Sequence, residues 1–215
     1  MGNGTKKDDE KDMIQNIIFD MVGVLMRFDT EGYYLTHGIS SGDRELLQRE
    51  VFRSLEWAMQ DRGSISDEDA ITAICTRIPI HLHVVVRDFI RRENRDILPI
   101  PGMEALLRDL KATGFQLYLL SNTSKAFHRI RLQIPGIRFF DGEMISADVG
   151  LVKPDPAIFR LACERFGIRP SESVFIDDTP INAEAAQHIG MTAFVFHNDI
   201  EELRAQLNAV GMVTR

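Results

Sequence analysis

Cysteine is nearly absent: Cys75 and Cys163 are the only two, far apart and without a CxxC pair. That usage excludes a disulfide framework and a zinc knuckle, and both thiols read as reduced and buried. Long apolar runs are missing too. No stretch approaches the roughly 18 residues that span a bilayer, and the first residues lack the apolar core of a secretory signal. The reading is a cytoplasmic protein with no membrane partner. Positive charge is in deficit, with 25 Lys and Arg against 32 Asp and Glu and a formal net charge of -7. Non-specific nucleic-acid binding draws on a broad basic field that this chain lacks, so no nucleic-acid partner is expected. Internal repeats and low-complexity tracts are absent as well.

What is present suits a globular chain of 215 residues, 44% hydrophobic and 27% charged, with one full core and a smaller appended module. Met1 to Asp12 is polar with nothing to bury and reads as a flexible leader (1–12), and Met13 could serve as the natural start. The stretch from Ile17 to Leu25 organises the rest. A buried parallel strand shows as a short continuous apolar run, here from about Gln15 to Phe19, and this one ends on Asp20 before a glycine turn. Ligands of open α/β sheets bind beyond the carboxyl ends of the strands, which places Asp20 at the lip of a crevice.

From about Phe28 to Pro99 the apolar spacing becomes helical, with no convincing strand-forming run. Leu46, Leu47, Val51, Leu55 and Ala58 recur at steps of three and four, with Gly63 as a stop. Ser66 is the N-cap of a further helix with Asp69 in the capping-box position, and Pro79 ends that segment. Val84, Val85, Phe89 and Ile90 mark another helix, whose Arg91-Arg92-Glu93-Asn94-Arg95-Asp96 end reads as solvated rather than as an anion-binding patch. Trp57 and Tyr33-Tyr34 could line a pocket or fill a core, and core is the reading for Trp57. His81-x-His83 reads as an exposed helix start.

Pro99-Ile100-Pro101-Gly102 marks a boundary, after which an α/β rhythm resumes. Helices are expected over Met103 to Thr113, Lys125 to Ile134, Ala157 to Phe166, Ala183 to Ile189 and Ile200 to Val210. Strands are expected over Phe115 to Leu120, Val174 to Ile176 and Thr192 to Phe196, while Phe139 to Val149 is left unassigned. The fold class is therefore α/β: a Rossmann-like parallel sheet core flanked by helices (13–27 and 100–215) with an inserted all-helical module (28–99).

Four polar stations follow buried or loop-anchored elements: Asp20, Ser121-Asn122, Lys153 and Asp177-Asp178. Three lie at strand ends that a parallel sheet brings to one edge. Three carboxylates with an ammonium and a hydroxyl suit a hard divalent cation and a phosphate, and oxygen-only ligands favour Mg²⁺ over zinc. An Asp-Asp turn capping the next helix is the plainer alternative for Asp177-Asp178.

With these residues in hand, the chain resembles the haloacid dehalogenase-like superfamily of phosphohydrolases. Phe19-Asp20-Met21-Val22-Gly23-Val24-Leu25 looks like its motif I, Leu120-Ser121-Asn122 like motif II, Val152-Lys153-Pro154 like motif III, and Ile176-Asp177-Asp178 like motif IV. The insert resembles the helical cap of the C1 subclass. The resemblance implies Asp20 as a nucleophile forming an aspartyl-phosphate, Ser121 and the Asn122 backbone as phosphate contacts, and Lys153 as the neutralising cation. It also implies a Mg²⁺ held by Asp20, the main-chain carbonyl of Val22 and Asp178, with Asp177 close by. A small-molecule phosphate ester is the implied partner, a sugar phosphate among the candidates, and the assembly a monomer or homodimer.

Val22 departs from the pattern, because most phosphatases of the superfamily carry there a second Asp that protonates the leaving oxygen. General acid-base catalysis is worth about 10² to 10⁴ in rate. Three readings follow: a phosphatase that takes its acid from Asp29, a cap residue such as His37, or water; a 2-haloacid dehalogenase; and a catalytically weak phosphate- or metabolite-binding module.

Overall fold

A computed structural model describes residues 13–92 and 96–211. The expected leader and Glu93-Asn94-Arg95 lie outside the described residues. The chain begins with β1 (Asn16–Phe19), all of whose side chains are buried, and turns through Gly23 into β2 (Met26–Phe28). Five helices follow: α1 (Thr30–Thr36), α2 (Ser41–Leu47), α3 (Leu55–Asp61), α4 (Asp67–Cys75) and α5 (His83–Arg91). Then come β3 (Ile97–Pro99), α6 (Met103–Ala112), β4 (Gln116–Ser121), α7 (Phe127–Ile130), β5 (Gly142–Ile145) and α8 (Ser146–Val149). The chain closes with α9 (Pro156–Phe166), β6 (Ser173–Asp177), α10 (Pro180–His188), β7 (Thr192–Val195) and α11 (Ile200–Ala209).

The main sheet has five strands in the order β5-β4-β1-β6-β7, paired parallel throughout. Side chains alternate across a strand, and the two faces show it. Ile17, Phe19, Leu117, Leu119, Val174 and Ile176 point into one core, covered by Leu106, Leu107 and Leu110 of α6 and Leu203 and Leu207 of α11. Ile18, Tyr118, Leu120 and Phe175 point into the other, covered by Ile158, Phe159 and Ala162 of α9 and Ala183 and Ala186 of α10. Burial on both faces is why these strands read as unbroken apolar runs. The order also reverses at β1, with β4-β5 built outward on one side and β6-β7 on the other. Such a switch point opens a crevice at the carboxyl ends of β1, β4 and β6.

Residues 30–92 pack around a core of their own, in which Leu47, Ile74, Leu82, Val86 and Phe89 are inaccessible to solvent. Ser66 caps α4 as expected: its hydroxyl accepts from the Asp69 N–H at 3.1 Å and donates to the Asp69 carboxylate at 2.7 Å. Two expectations are corrected. The stretch 28–99 is not wholly helical, because Ile97–Pro99 pairs antiparallel with Met26–Phe28 to form the two-stranded ribbon through which the insert leaves and re-enters the sheet core. Three residues ending in proline carry no alternation to read. Nor is Arg92 solvated: it is 6% exposed and ends α5 in the left-handed region at φ 55°. The expected helix Lys125 to Ile134 shortens to α7 and a following 3₁₀ turn, and the unassigned Phe139 to Val149 supplies the edge strand β5 and α8.

Candidate active site

Strand register assembles the site. The last residue of β1, Phe19, pairs with Leu119 and Ile176, so one step further Asp20 comes level with Leu120 and Asp177. The Asp20 N–H donates to the Ile176 carbonyl at 2.9 Å, which extends the ladder one residue past β1. Asp20 is 8% exposed. Lys153 enters from the loop before α9, where Asn122 clamps it: the Asn122 carboxamide donates to the Lys153 carbonyl and accepts from the Lys153 N–H, both at 2.8 Å. The ammonium then donates to the Leu120 carbonyl at 3.0 Å and to Asp177 at 2.6 Å, and stands 2.8 Å from Asp20 Oδ1. The contact with Asp20 falls outside hydrogen-bond angles, so that buried oxygen has no hydrogen bond. Asp20, Asp177 and Asp178 each bring a carboxylate oxygen within 4.8 Å of the others.

The carboxylates are not equivalent. Asp177 is fully buried and committed, accepting from the Thr179 N–H at 2.8 Å and from the Asn182 carboxamide at 3.0 and 3.1 Å besides Lys153. Asp178 is more exposed and rests against the turn after β1, where a Cβ on Gly23 (φ 90°) would collide with its carboxylate. Burial raises the Asp20 carboxyl above its usual range, with Lys153 opposing and Asp177 reinforcing the rise. Burial, then Asp177, raises Asp178 as well. Burial works against the Lys153 charge, but Asp20 and Asp177 outweigh it and hold the ammonium above its ordinary value. Three carboxylates against one ammonium leave the cluster short of positive charge.

Ser121, the last residue of β4, is buried at the same edge. Beyond it lies a crevice of about 340 Å³ lined by Val22 and Asn122, by the aromatic side chains of Phe28, Phe52 and Trp57, and by the charged Arg27, Asp61 and Arg92. The helical insert is seated on the core beside it. The Ser146 hydroxyl of α8 meets the Asp61 carbonyl at 2.5 Å and accepts from the Thr123 N–H at 2.8 Å, and a Cβ on Gly63 (φ 71°) would strike the Ala147 carbonyl.

Residues 14–190 match the family model for haloacid dehalogenase-like hydrolases. The chain belongs to that family. Among its relatives is a sesquiterpene phosphatase of Aspergillus oryzae, 29% identical over 81% of this chain and 85% of that protein. Another is an (S)-2-haloacid dehalogenase of a Pseudomonas species, 26% identical over 82% of this chain and 81% of that protein. A HAD family enzyme of Bacteroides thetaiotaomicron, solved in complex with magnesium and inorganic phosphate, shares the fold with a TM-score of 0.68 at 22% identity, over 88% of this chain and 98% of that one.

In this haloacid dehalogenase-like hydrolase, the motif residues Asp20, Ser121, Asn122, Lys153, Asp177 and Asp178 thus meet at one sheet edge. The two acids suggested as substitutes for a second motif I Asp are not among the residues that line the crevice. Asp29 caps α1, accepting from the Gly32 N–H at 2.9 Å, and His37 stacks on Tyr33 at 4.0 Å with Nδ1 against the Tyr33 carbonyl. Asp61 occupies the crevice instead. Burial, reinforced by Asp20 and opposed by Arg92, pushes its carboxyl up to about 6. Asp61 is silent in the sequence because it ends an amphipathic helix where a solvated carboxylate is ordinary, and the following Gly63 reads simply as a helix stop. Asn182 was missed for the same reason, as a polar residue in the first turn of α10. Trp57 belongs to both of its readings, packed on Phe52 at 5.1 Å and facing the crevice. No helix among the described residues is long and apolar enough to cross a membrane.

Proposed function

We propose that this protein is a Mg²⁺-dependent phosphohydrolase acting on a small organic phosphate ester, with Asp20 as its nucleophile. The observation that carries the reading is the buried Asp20 oxygen that has a lysine ammonium beside it and no hydrogen bond. A carboxylate so placed is shielded, charge-paired and available to attack. The residues fit a magnesium ion: the donors are all oxygen, the cluster has excess negative charge, and Gly23 leaves Asp178 the room it occupies. Asp20, the Val22 carbonyl and Asp178 would hold the ion, with Asp177 set back as the partner of Lys153. Bound there, magnesium neutralises phosphoryl oxygens.

The chain's own residues supply the rest. Asp20 attacks phosphorus as the ester P–O bond breaks, giving an aspartyl-phosphate; water then attacks that phosphorus, releasing phosphate and restoring the carboxylate. Ser121 and the Asn122 backbone bind phosphoryl oxygens, and Lys153 offsets their charge. Asp61 donates a proton to the leaving oxygen, in place of the acid absent at Val22, and takes one back from the water that attacks the aspartyl-phosphate. The insert 28–99, helical except for its ribbon strands, serves as a C1-type cap over the core of 13–27 and 100–215, and the aromatic side chains it contributes receive the organic part. A phosphorylated metabolite, sugar phosphates included, is the substrate class, and a relative that is a sesquiterpene phosphatase supports phosphate-ester chemistry. The two free cysteines suit a reducing cytoplasm.

The dehalogenase reading has Val22 and the Pseudomonas relative in its favour, but it gives Asp178 no work. A panel of phosphate esters assayed with and without Mg²⁺ decides. Folded wild-type protein should release phosphate only with Mg²⁺, and Asp20→Asn should abolish release. Halide release from 2-haloacids in EDTA, or turnover surviving Asp20→Asn, would overturn the proposal.

A further inference from the structure

Arg92 does not behave as a surface arginine. Its backbone closes α5 in the left-handed region, which an L side chain resists and where glycine or asparagine is usual. Its N–H donates to the Asp88 carbonyl there. The guanidinium turns inward, 5.1 Å from the Phe28 ring, and Nη1 is buried without a hydrogen bond. Asp61 and Asp67 act on it only as neighbouring charges, opposed by Arg129, which itself takes Asp67 at 2.6 Å. A group of five donors, always charged, is expensive to bury when its hydrogen bonds are incomplete. Were Arg92 simply the counter-ion of Asp61, the two would close to ion-pair distance, as Lys153 and Asp177 do at 2.6 Å. Among the described residues Arg92 makes no such pair.

Arg92 also stands at an informative place. The crevice it lines is bounded as well by Val22, two residues on from Asp20, by Asn122, next to Ser121, by the aromatic side chains of Phe28, Phe52 and Trp57, and by the exposed Arg27. An ester whose phosphorus lies at Asp20 would run its organic part past the aromatic side chains to the guanidinium. A planar fork of N–H donors matches a carboxylate or phosphate in two-point contact. We propose that Arg92 is the specificity-determining residue of this crevice and takes a second anionic group, carboxylate or phosphate, on the organic part of the phosphate ester. The idea rests on the phosphohydrolase reading for what occupies the Asp20 end.

Binding of non-hydrolysable phosphonates tests it apart from turnover. 4-Phosphonobenzoate should bind the wild-type protein, in Mg²⁺, about tenfold or more tighter than its neutral isostere 4-phosphonobenzamide. 1,4-Phenylenebisphosphonate in parallel tells which anion is preferred. In Arg92→Gln the advantage of the anionic ligands should fall to within about twofold while the benzamide binds as before, and Arg92→Lys should keep part of the advantage. Equal binding of all three ligands to wild type overturns the proposal, and so does an Arg92→Gln variant that weakens all three alike. If Arg92→Gln fails to fold, the wild-type preference and the Arg92→Lys ratio decide it in the same way. The two readings fail separately: an ester panel without turnover defeats the phosphohydrolase, whereas turnover without anion preference defeats only the role of Arg92.

Discussion

Asp177 accepts a hydrogen bond from Lys153 at 2.6 Å in a place where the two side chains are 0% and 1% exposed. Both Asp177 oxygens are also hydrogen-bonded to Asn182 or Thr179, so the pair is fixed on the protein side before any ligand arrives. Removing Asp177 leaves Lys153 with Asp20 as its remaining carboxylate, 2.8 Å away, and strands the Asn182 and Thr179 donors, at a cost of about 1–3 kcal/mol for each unsatisfied buried group. Asp177→Ala should therefore lower the unfolding free energy by roughly that much for each group stranded. Asp178→Ala, which removes a more exposed carboxylate that Asp177 repels, should leave stability unchanged or raise it. Urea unfolding of the two variants checks the contrast, and equal losses would contradict it.

Asp61 makes the pH profile diagnostic. With its carboxyl raised to about 6, it holds a donatable proton below that value and loses it above. For an alkyl phosphate, kcat/KM should thus decline as pH rises through about 6, by up to tenfold per unit once Asp61 is ionised. Asp61→Asn should flatten that limb and cost about 10² to 10³ in rate, while 4-nitrophenyl phosphate, whose leaving group needs no proton, is largely spared. Stability carries the same sign. A folded-state value above the ordinary 3.8 contributes stability that is complete below pH 4 and gone above about 6, and Asp61→Asn should remove this pH dependence from thermal melts.

Val22 and Asp61 then predict a rescue. If Asp61 already supplies the proton, Val22→Asp in the wild-type background should gain less than about tenfold on alkyl phosphates. In an Asp61→Asn background the same substitution should restore most of the lost 10²- to 10³-fold. Comparing kcat/KM across the four proteins measures the coupling; a large gain from Val22→Asp alone would show that wild type lacks an acid altogether.

The sheet and its reactive edge were legible in the chain because the physics that built them is local and repetitive. Strands β1, β4 and β6 are buried on both faces, so each shows as an apolar run cut off by Asp20, by Ser121 or by Asp177. Strand β5 lies at the sheet edge, begins Gly142-Glu143 and is only half-buried at that end, which leaves no such run. Asp61 and Arg92 were illegible for another reason. Each sits at a helix end where charge is ordinary, and what marks them out, a half-buried Asp61 and a buried Arg92, arises where the insert meets the core, as it does at Ser146 and Gly63. That docking is a tertiary event between segments far apart in sequence, and no period of 2 or 3.6 residues records it.

Metal binding should depend on Gly23 as much as on the carboxylates. A Cβ at Gly23 would meet Asp178, and its φ of 90° is one that an L residue resists, so Gly23→Ala must displace the Asp178 side chain or distort the turn that carries the Val22 carbonyl. A ligand present at 100 times its Kd stabilises the folded state by about 2.7 kcal/mol. Millimolar Mg²⁺ should accordingly raise the melting temperature of wild type, and the rise should shrink or vanish in Asp178→Asn and in Gly23→Ala. Protons compete with the ion, because Asp20 and Asp178 both titrate above the usual carboxylate range. Lowering the pH from 7 to 5 should therefore weaken the Mg²⁺-induced shift in wild type, since the ion binds only ionised carboxylates. A shift indifferent to pH and to both substitutions would place the ion elsewhere on the molecule.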